Sequence, residues 1–532
     1  MSRFKGLSWV IPSLLLGALV WPERGFVPIW DGHVYLQCVV DAAQKGLSIH
    51  SLRCGGHHAQ LYMGLLALAA RAVPGSMAAI VAVNFALACT ALWALSSLLR
   101  RLLPAAAWWP ERVLLLSCVA VHPLLPATLV QMNSDLGVFA FCFLTLALLV
   151  DHRYWGGALA GLFLCFSKET GVVIYAVLLV VHAGFRGRLV AGTTGVRTRA
   201  AVKEVAPAVL PLAAYSMFLV WWTVTQHSFA VWNQGMHEDP LNGVRLFDFD
   251  DPVLRSYAAI IFVLGFMWIP TATILADLAV GGARMVRRLP NRPLAGVEPH
   301  LASALLVLSG LLAYALTVYR TFSNPRYFVV LAPLLLITAV VSLVRLGAGT
   351  TVRRAALATM LLLLFSVNHR SWDPVTQLAF GTFPSGDRVM YRMTSISGEL
   401  RGPGRDQLCY NLQFAGFDRS LSAAFASIRP TDSTAIVFSR FNTWGLWTPL
   451  DGGTYARTAG RSGNVTPRYM DETMVAVARE QRPTELWLVE MPNDVDASAR
   501  QALRAAYEET DSVRFAPRGV AVTVRHLVRR TR

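Results

Sequence analysis

The chain has 532 residues, of which 54% are hydrophobic and only 15% charged, and its mean hydropathy is +0.46. Soluble domains carry about 25% charged residues, so this composition excludes an ordinary soluble protein and predicts a polytopic membrane protein. The formal net charge is +16, but most basic residues before position 370 lie between long apolar runs. There they indicate membrane orientation rather than nucleic-acid binding, and we predict no nucleic-acid partner.

The apolar runs predict a mainly α-helical membrane domain over residues 1–369. A helix needs about 20 apolar residues to cross roughly 30 Å of hydrocarbon. About eleven transmembrane helices are predicted, near 6–22, 76–99, 113–129, 135–150, 155–167, 170–184, 207–226, 256–280, 301–319, 327–346 and 354–368. The runs at 155–167 and 170–184 are short, and the polar residues between them leave open whether they form one broken helix or two.

The distribution of Lys and Arg predicts which side of the membrane each loop faces. With the N terminus in the cytoplasm, about twice as many basic residues fall in the inside loops as in the outside segments before position 370, as the positive-inside rule requires. The first run, 6–22, lacks a small-residue cleavage site and is interpreted as a retained span rather than a signal peptide. We therefore predict a multi-pass protein of the cytoplasmic (inner) membrane.

Two regions are not predicted to span the bilayer. Residues 23–75 form an outside loop, whose second half has an apolar face typical of an interfacial helix. Residues 370–532 form a soluble α/β domain, and an odd number of spans places it on the extracytoplasmic side with the active site. Its predicted elements are strands at 435–438, 486–489 and 519–527 and a helix over 498–509.

Charged residues at membrane depth or at its boundary are costly and are therefore candidates for function. Asp31 follows the first span and lies next to aromatic residues that suit the membrane interface. Its carboxylate could accept the proton of an attacking hydroxyl, so we take it as the candidate catalytic base. The competing interpretation is an exposed loop acid or a helix N-cap.

Two further charged positions interrupt apolar sequence. Asp135 lies in a polar island, 131–135, between two spans, where it could act in a functional site or cap the helix that begins there. Lys168 and Glu169 stand between the two short runs, and Lys is rare in a chain that otherwise uses Arg. Lys168 is therefore a candidate anion ligand, and charge compensation between Lys168 and Glu169 is the structural alternative.

A basic pair lies near the outer end of a predicted helix pair, against the positive-inside trend. Arg320 and Arg326 form this pair, and Tyr327 follows directly. Arg binds phosphate through two parallel hydrogen bonds, so the pair is a candidate phosphate site. Snorkelling of the two side chains to lipid headgroups is the competing explanation.

Histidine and cysteine are both present in the outside loop. Its four histidines, which include His57 and His58, show no spacing typical of a zinc site, so no metal is assigned. No cofactor is predicted with certainty, and dependence on a divalent metal stays open. Cys38 and Cys54 could form a disulfide in an oxidising compartment, although the sequence does not establish that their geometry permits it.

Taken in chain order, these residues resemble the GT-C class of integral-membrane glycosyltransferases, which includes protein O-mannosyltransferases and the lipid A aminoarabinose transferase. The resemblance covers roughly residues 8–346 and rests on the order of short motifs. The motifs are Asp31 with Tyr35 after the first span, Gln60-Leu61-Tyr62 before an apolar helix, Asp135 opening a later span, Lys168-Glu169 two spans on, and Arg326-Tyr327 followed by Pro333. Unlike many members, the chain has Gly32 rather than a second acid after Asp31.

The resemblance implies a polyprenyl-phosphate sugar donor and an inverting, single-displacement transfer outside the cytoplasmic membrane. The acceptor would be a hydroxyl of a cell-envelope glycan, lipid or protein, and the lipid bilayer is the other partner. Asp31 is then the base for that hydroxyl. The residues expected to bind the donor phosphate are Lys168, Arg320, Arg326 and Tyr327. The residues expected to position the acceptor or the loop are Asp135, Tyr35, His57 and His58.

Other functions stay open at this stage. A lipid-linked glycan ligase or a flippase would share the outer polar residues and the lipid phosphate. A secondary transporter would also place isolated charges in a helix bundle, although no paired halves are evident and the polar residues cluster at one face. A GT-C-like chain without activity would use Asp31 only structurally. The product distinguishes these functions: one transferred sugar, a transferred glycan, or no changed bond.

Overall fold

The computed structural model of the protein describes a bundle of helices followed by a small mixed sheet. The described residues are 7–26, 28, 31–52, 54, 58–189, 206–226, 261–287, 296–318, 325–385, 388–391, 410–429, 434–439, 467–470, 483–490, 497–516 and 521–530. Three of the sequence candidates fall outside this description: His57, Arg320 and the side chain of Asp31.

Helices make up most of the described chain before residue 381. In chain order they are α1 Val10–Val20, α2 Asp31–Lys45, α3 Gln60–Ala72, α4 Met77–Leu102, α5 Trp109–Val121, α6 Leu124–Val130, α7 Asp135–Val150, α8 Tyr154–Cys165, α9 Glu169–Leu189, α10 Leu210–Gln226, α11 Trp268–Val286, α12 Pro299–Val318, α13 Leu331–Arg345, α14 Thr350–Ser366 and α15 Pro374–Phe380. Two more helices belong to the C-terminal region, α16 Ala415–Ser427 and α17 Ala497–Ala506.

Four stretches of helix in the described ranges are long and apolar enough to cross a membrane. They are Met77–Leu102, Ala206–Thr225, Trp268–Val286 and Pro299–Leu316. Shorter apolar helices occupy five other predicted spans, at Val10–Glu23, Asp135–Val150, Tyr154–Cys165, Glu169–Phe185 and Leu331–Arg345. The chain is thus a mainly helical membrane protein, and the number of eleven spans stays a prediction.

The predicted span over 113–129 is a bent pair of helices. The axes of α5 and α6 meet at 49°, and His122 between them has an extended ψ of 124°. The cause is Pro123, because the ring of a proline disfavours helical backbone in the residue before it. The segment predicted as a span is therefore a bent pair of helices, and whether it crosses the membrane stays a prediction.

Residues 155–184, which the sequence predicted as one broken helix or two, form two helices. Two helices are present, since α8 ends at Cys165 and α9 begins at Glu169. The turn between them is tight: a Cβ on Gly171 would overlap the carbonyl oxygen of Leu164. This turn brings Lys168 to the same end of the bundle as the start of α7.

The segment 23–75, predicted as an outside loop, contains two α-helices among its described residues. The predicted apolar helix in its second half is α3, Gln60–Ala72. The first half holds α2, Asp31–Lys45, which the sequence analysis did not predict as a helix. A disulfide joins Cys38 on α2 to Cys54 in the segment before α3, with Cα atoms 5.5 Å apart. The loop is therefore a covalently linked helical unit.

The C-terminal region contains the expected α/β elements. A five-stranded sheet has the order β4-β3-β5-β7-β6, and a separate antiparallel pair joins β1 to β2. β3 pairs in parallel with β4 and β5, whereas β7 is antiparallel to both of its neighbours. The strands are β1 Thr382–Ser385, β2 Arg388–Tyr391, β3 Thr434–Ser439, β4 Pro467–Met470, β5 Glu485–Glu490, β6 Tyr507–Phe515 and β7 Val522–Arg529.

One boundary in this region differs from the expectation. The helix predicted over 498–509 ends at Ala506, and the chain continues directly as β6. β6 pairs along its length with β7, and Arg525 of β7 binds Glu509 of β6 at 2.7 Å. Pairing with the next strand therefore decides the conformation here, which local helix propensity does not report.

The start of the C-terminal region is packed onto the helix bundle. Asp373 accepts hydrogen bonds from the backbone N–H of Phe266 at 2.7 Å and from the indole of Trp268 at 3.0 Å. Arg419 of α16 binds Glu23, after α1, at 2.6 Å. The chain after residue 370 therefore begins as part of the bundle surface and not as a detached linker.

Candidate active site

The polar island 131–135 forms a buried turn between α6 and α7. Gln131, Asn133, Ser134 and Asp135 are all at most 2% exposed. Met132 adopts the left-handed conformation, with φ of 56°, which is uncommon for a residue other than glycine. Asp135 is the first residue of α7 and not its cap, and Ser134 at the cap position makes no side-chain capping bond. The turn thus directs the Asp135 carboxylate to partners on other elements.

The first of these partners is Lys168, from the turn between α8 and α9. Its Nζ lies 2.9 Å from Oδ1 and 3.0 Å from Oδ2 of Asp135. The same ammonium lies 3.8 Å from the centre of the Tyr327 ring, a distance at which the ring face attracts a cation. Lys168 is only 1% exposed, so the described structure encloses its charge between a carboxylate and an aromatic ring.

The second partner is Arg326, from the short helical turn Pro325–Phe328 before α13. Its Nε lies 3.3 Å from Oδ2 of Asp135, and its Nη1 donates to Oδ1 of Asn133 at 2.7 Å. Arg326 is 3% exposed. We call Asp135, Lys168 and Arg326 the Asp135 cluster. Its three residues come from three separate parts of the chain.

The Asp135 cluster has one carboxylate and two cations, a formal charge of +1. Removing an ion from water costs several kcal/mol even after the surroundings relax. Such charges inside a membrane protein usually mark a binding or transport site. An excess of positive charge in a desolvated site is suited to an anionic group such as a phosphate.

Glu169, the neighbour of Lys168, points to a different element. Its Oε1 accepts a hydrogen bond of 2.9 Å from the backbone N–H of His58. His58 is fully buried, and its Nδ1 lies 3.3 Å from Nε2 of Gln60. The Lys168-Glu169 dipeptide therefore bridges the Asp135 cluster and the loop before α3.

Aromatic side chains of α10 cover the other side of His58. The ring centres of Phe218 and Trp222 lie 5.1 and 5.3 Å from the ring centre of His58, and both pairs have an edge-to-face geometry. His50 lies 5.3 Å from Trp222 in turn. These contacts hold the disulfide-linked loop against α10 beside His58, whose backbone N–H binds Glu169.

The candidate base Asp31 is the first residue of α2, and its backbone position follows from its neighbour. A Cβ on Gly32 would overlap the backbone carbonyl oxygen of Gln131 and would come 2.8 Å from Cβ of Pro28. The start of α2 therefore lies directly against the polar turn that leads to Asp135. This contact explains why the chain has glycine at position 32, where many GT-C members have a second acid.

The remaining candidates have clear places in the fold. Tyr35 lies on α2, is 1% exposed and belongs to the buried core. Tyr327 presents its ring to Lys168, as described above. Among the described residues, no group of three or more His, Cys, Asp or Glu side chains could hold a metal ion.

The structure adds residues that the sequence analysis did not select. Asn133 binds Arg326, and its place in the polar island could have indicated this role. The α10 residues Phe218 and Trp222 contact His58 through tertiary packing, whereas Gln60, already part of the quoted motif, contacts it from two positions along the chain. No local pattern in the sequence connects α10 to the loop before α3.

The fold is similar to that of ArnT, a GT-C glycosyltransferase, as the resemblance in sequence order implied. The chain is similar to two crystal structures of ArnT, the lipid A aminoarabinose transferase, from Cupriavidus metallidurans. The apo structure has a TM-score of 0.51 and the structure bound to undecaprenyl phosphate a TM-score of 0.50, each at 12% sequence identity. The likeness covers 97% of this chain and 97% of the apo ArnT chain, and 98% and 97% for the bound form.

Comparisons of the sequence alone find no match. No protein-family model matches the chain, and no curated protein is significantly similar to it in sequence. The expected resemblance to the GT-C group is thus confirmed at the level of the fold.

Proposed function

We propose that this protein is a membrane glycosyltransferase that moves one sugar from a polyprenyl-phosphate donor to a hydroxyl of a cell-envelope acceptor, with inversion at the sugar carbon. The Asp135 cluster is the observation that carries the proposal. It places two desolvated cations beside the start of α2, in a chain with the fold of ArnT. One of the similar ArnT structures is bound to undecaprenyl phosphate, which supports a lipid phosphate as the ligand class.

The cations act on the leaving group. Transfer breaks the bond between the sugar carbon and the phosphate oxygen, and negative charge develops on the departing polyprenyl phosphate. Lys168 and Arg326, with Arg320, stabilise that charge by electrostatic interaction in a water-poor site. Tyr327 holds the Lys168 ammonium from the opposite side. Asp135 keeps both cations in place before the donor binds.

Asp31 acts on the acceptor. Its carboxylate takes the proton of the attacking hydroxyl as the new glycosidic bond forms. The packing of Gly32 against Gln131 supports this role, because it holds the start of α2 beside the turn that carries Asp135. Tyr35, His57 and His58 belong to the same loop and position the acceptor or the loop itself.

The active site and the C-terminal region face the extracytoplasmic side. The disulfide between Cys38 and Cys54 supports this orientation, because such bonds persist in oxidising compartments and are rare in the cytosol. The distribution of Lys and Arg supports it independently. A lipid-linked donor in the outer leaflet reaches such a site, whereas a cytosolic nucleotide sugar does not.

The test is sugar transfer in membranes that contain the protein, with a panel of radiolabelled polyprenyl-phosphate monosaccharides as donors. Asp31→Asn is compared with wild type and with Asp41→Asn, a matched control on the same helix. Asp41 forms an exposed pair with Lys45 at 3.3 Å. We expect wild type and Asp41→Asn to transfer label equally and Asp31→Asn to be slower by about 10²–10⁴-fold.

Each other outcome excludes part of the proposal. Equal transfer by properly inserted Asp31→Asn removes this residue from the mechanism. Transfer of a whole glycan in place of one sugar indicates a ligase. Movement of the labelled lipid across the bilayer without a changed bond indicates a flippase or transporter.

A further inference from the structure

A cavity lies at the opposite end of the bundle from the Asp135 cluster. It has a volume of about 530 Å³ and is bounded by α4, α7, α9 and α12. Asp135 begins α7, whereas Leu146, Val150 and the following His152 line this cavity. Because a helix rises 1.5 Å per residue, the two ends of α7 are roughly 22 Å apart. The cavity is therefore a separate feature and not an extension of the candidate active site.

The cavity has an apolar wall and a polar rim. Most of the wall consists of aliphatic side chains, among them Leu178 and Leu305. Arg100 and Arg101, in the last turn of α4, lie at the rim. His152 and His300 add imidazoles to the rim from the ends of α7 and α12. An amphipathic molecule matches this division, with its polar head at the rim and its apolar part along the wall.

The charges at the rim favour an anionic head. Glu298 is the one acid that lines the described cavity, and its carboxylate accepts from the backbone N–H of Leu301 in the first turn of α12. Arg101 pairs with Asp151 at the surface, and an exposed ion pair of this kind contributes about 1 kcal/mol or less. Arg100 donates to the neutral hydroxyl of Ser97 at 3.3 Å. Both guanidiniums can thus exchange weak partners for a phosphate.

We propose that this cavity binds an anionic glycerophospholipid, with the lipid phosphate between Arg100 and Arg101 and the upper part of an acyl chain against the apolar wall. The rest of the acyl chains would extend into the surrounding bilayer. The positive-inside rule places the C-terminal end of α4 at the cytoplasmic face. Anionic lipids give that leaflet its negative surface potential, and basic pockets between transmembrane helices recognise their headgroups. The inference does not depend on the transfer reaction proposed above.

The test is native mass spectrometry of the purified full-length protein in detergent, titrated with phosphatidylglycerol and, in parallel, with zwitterionic phosphatidylcholine. Wild type is compared with the double variant Arg100→Gln/Arg101→Gln. The matched control is Arg284→Gln/Arg287→Gln, which removes two charges from the end of α11, where neither residue lines the cavity. We expect the cavity variant to bind phosphatidylglycerol about tenfold more weakly than wild type and control.

A second variant tests the apolar wall without changing charge. Ala304 lines the cavity, and Ala304→Phe fills part of its volume. It should reduce binding of phosphatidylglycerol while both arginines remain, and it decides the question if the double Arg variant fails to fold. Equal binding of phosphatidylglycerol by wild type and the cavity variants overturns the proposal. So does equally tight binding of phosphatidylcholine, of inorganic phosphate alone, or of undecaprenyl phosphate at the same arginines.

Discussion

Lys168 and Asp135 form a salt bridge of 2.9 Å in which both side chains are almost completely excluded from solvent. They lie 33 positions apart in the chain, one before α9 and the other at the start of α7. Because Arg326 also contacts Asp135, both cations share this one carboxylate. The first two predictions follow from this shared carboxylate.

Replacing Lys168 with Met should abolish most sugar transfer while the protein still folds. The variant leaves Asp135 paired with Arg326, so the buried carboxylate keeps a cation beside it. Loss of the ammonium removes one group that stabilises the leaving phosphate, and we expect transfer to fall about 10²–10³-fold. Lys45→Met, in an exposed pair on α2, is the matched control and should be fully active. Full transfer by Lys168→Met would show that the ammonium is only structural.

Replacing Asp135 with Asn should destabilise the protein more than Lys168→Met does. The amide removes the carboxylate that both buried cations contact, and breaking a buried ion pair costs about 3–5 kcal/mol. Thermal unfolding in detergent measures the order of the variants. The double variant Lys168→Met/Asp135→Asn should be more stable than Asp135→Asn alone, because only one cation then loses its contact with this carboxylate. An additive loss in the double variant would contradict the charge argument.

Gly32→Ala should impair both stability and transfer. Its Cβ would overlap the carbonyl oxygen of Gln131, so the start of α2 must move away from the turn that carries Asp135. Inserting an atom into a packed site costs about 1–3 kcal/mol. Gly25→Ala is the control, since a Cβ there meets nothing within 4 Å. Wild-type unfolding temperature and activity in Gly32→Ala would refute the close contact.

Cys38 and Cys54 form a disulfide, so their thiols should react with a maleimide–polyethylene glycol only after reduction. The bridge closes a loop with a sequence separation of 16, and such a loop contributes about 3 kcal/mol by limiting the unfolded chain. Cys38→Ser/Cys54→Ser should therefore unfold at lower temperature. Cys89→Ser, at a free and partly buried cysteine, should change little. Full labelling before reduction in membranes would contradict both the bridge and the proposed extracytoplasmic side.

Asp373→Ala should destabilise the helix bundle itself. The change leaves the buried N–H of Phe266 and the indole of Trp268 without this carboxylate, and an unsatisfied buried donor costs about 1–3 kcal/mol. Asp41→Ala, at an exposed position, is the control. The readout is the unfolding temperature of the whole chain, which stays unchanged if the region after 370 is only loosely attached.

Part of the site could be predicted from isolated charges in apolar sequence. Asp135, Lys168 and Arg326 each stand out because burial of a charge is costly, and their order along the chain led to the GT-C resemblance. The local alternatives could not be excluded in the same way. The short-range alternatives were a helix cap formed by Asp135 and an ion pair between Lys168 and Glu169. In the structure, Asp135 and Lys168 instead bind each other.

The sequence by itself determined that the chain enters a membrane, that it is mainly helical there, and that a small α/β region follows. Hydropathy and residue periodicity report these properties because they depend on neighbours within a few turns of chain. Only the tertiary structure decided that Asp135 meets both Lys168 and Arg326, that Gly32 packs on Gln131, and that β6 replaces the end of a predicted helix. The first two contacts join residues far apart in the chain, the third joins consecutive strands, and the energies of all three depend on how whole helices and strands pack together.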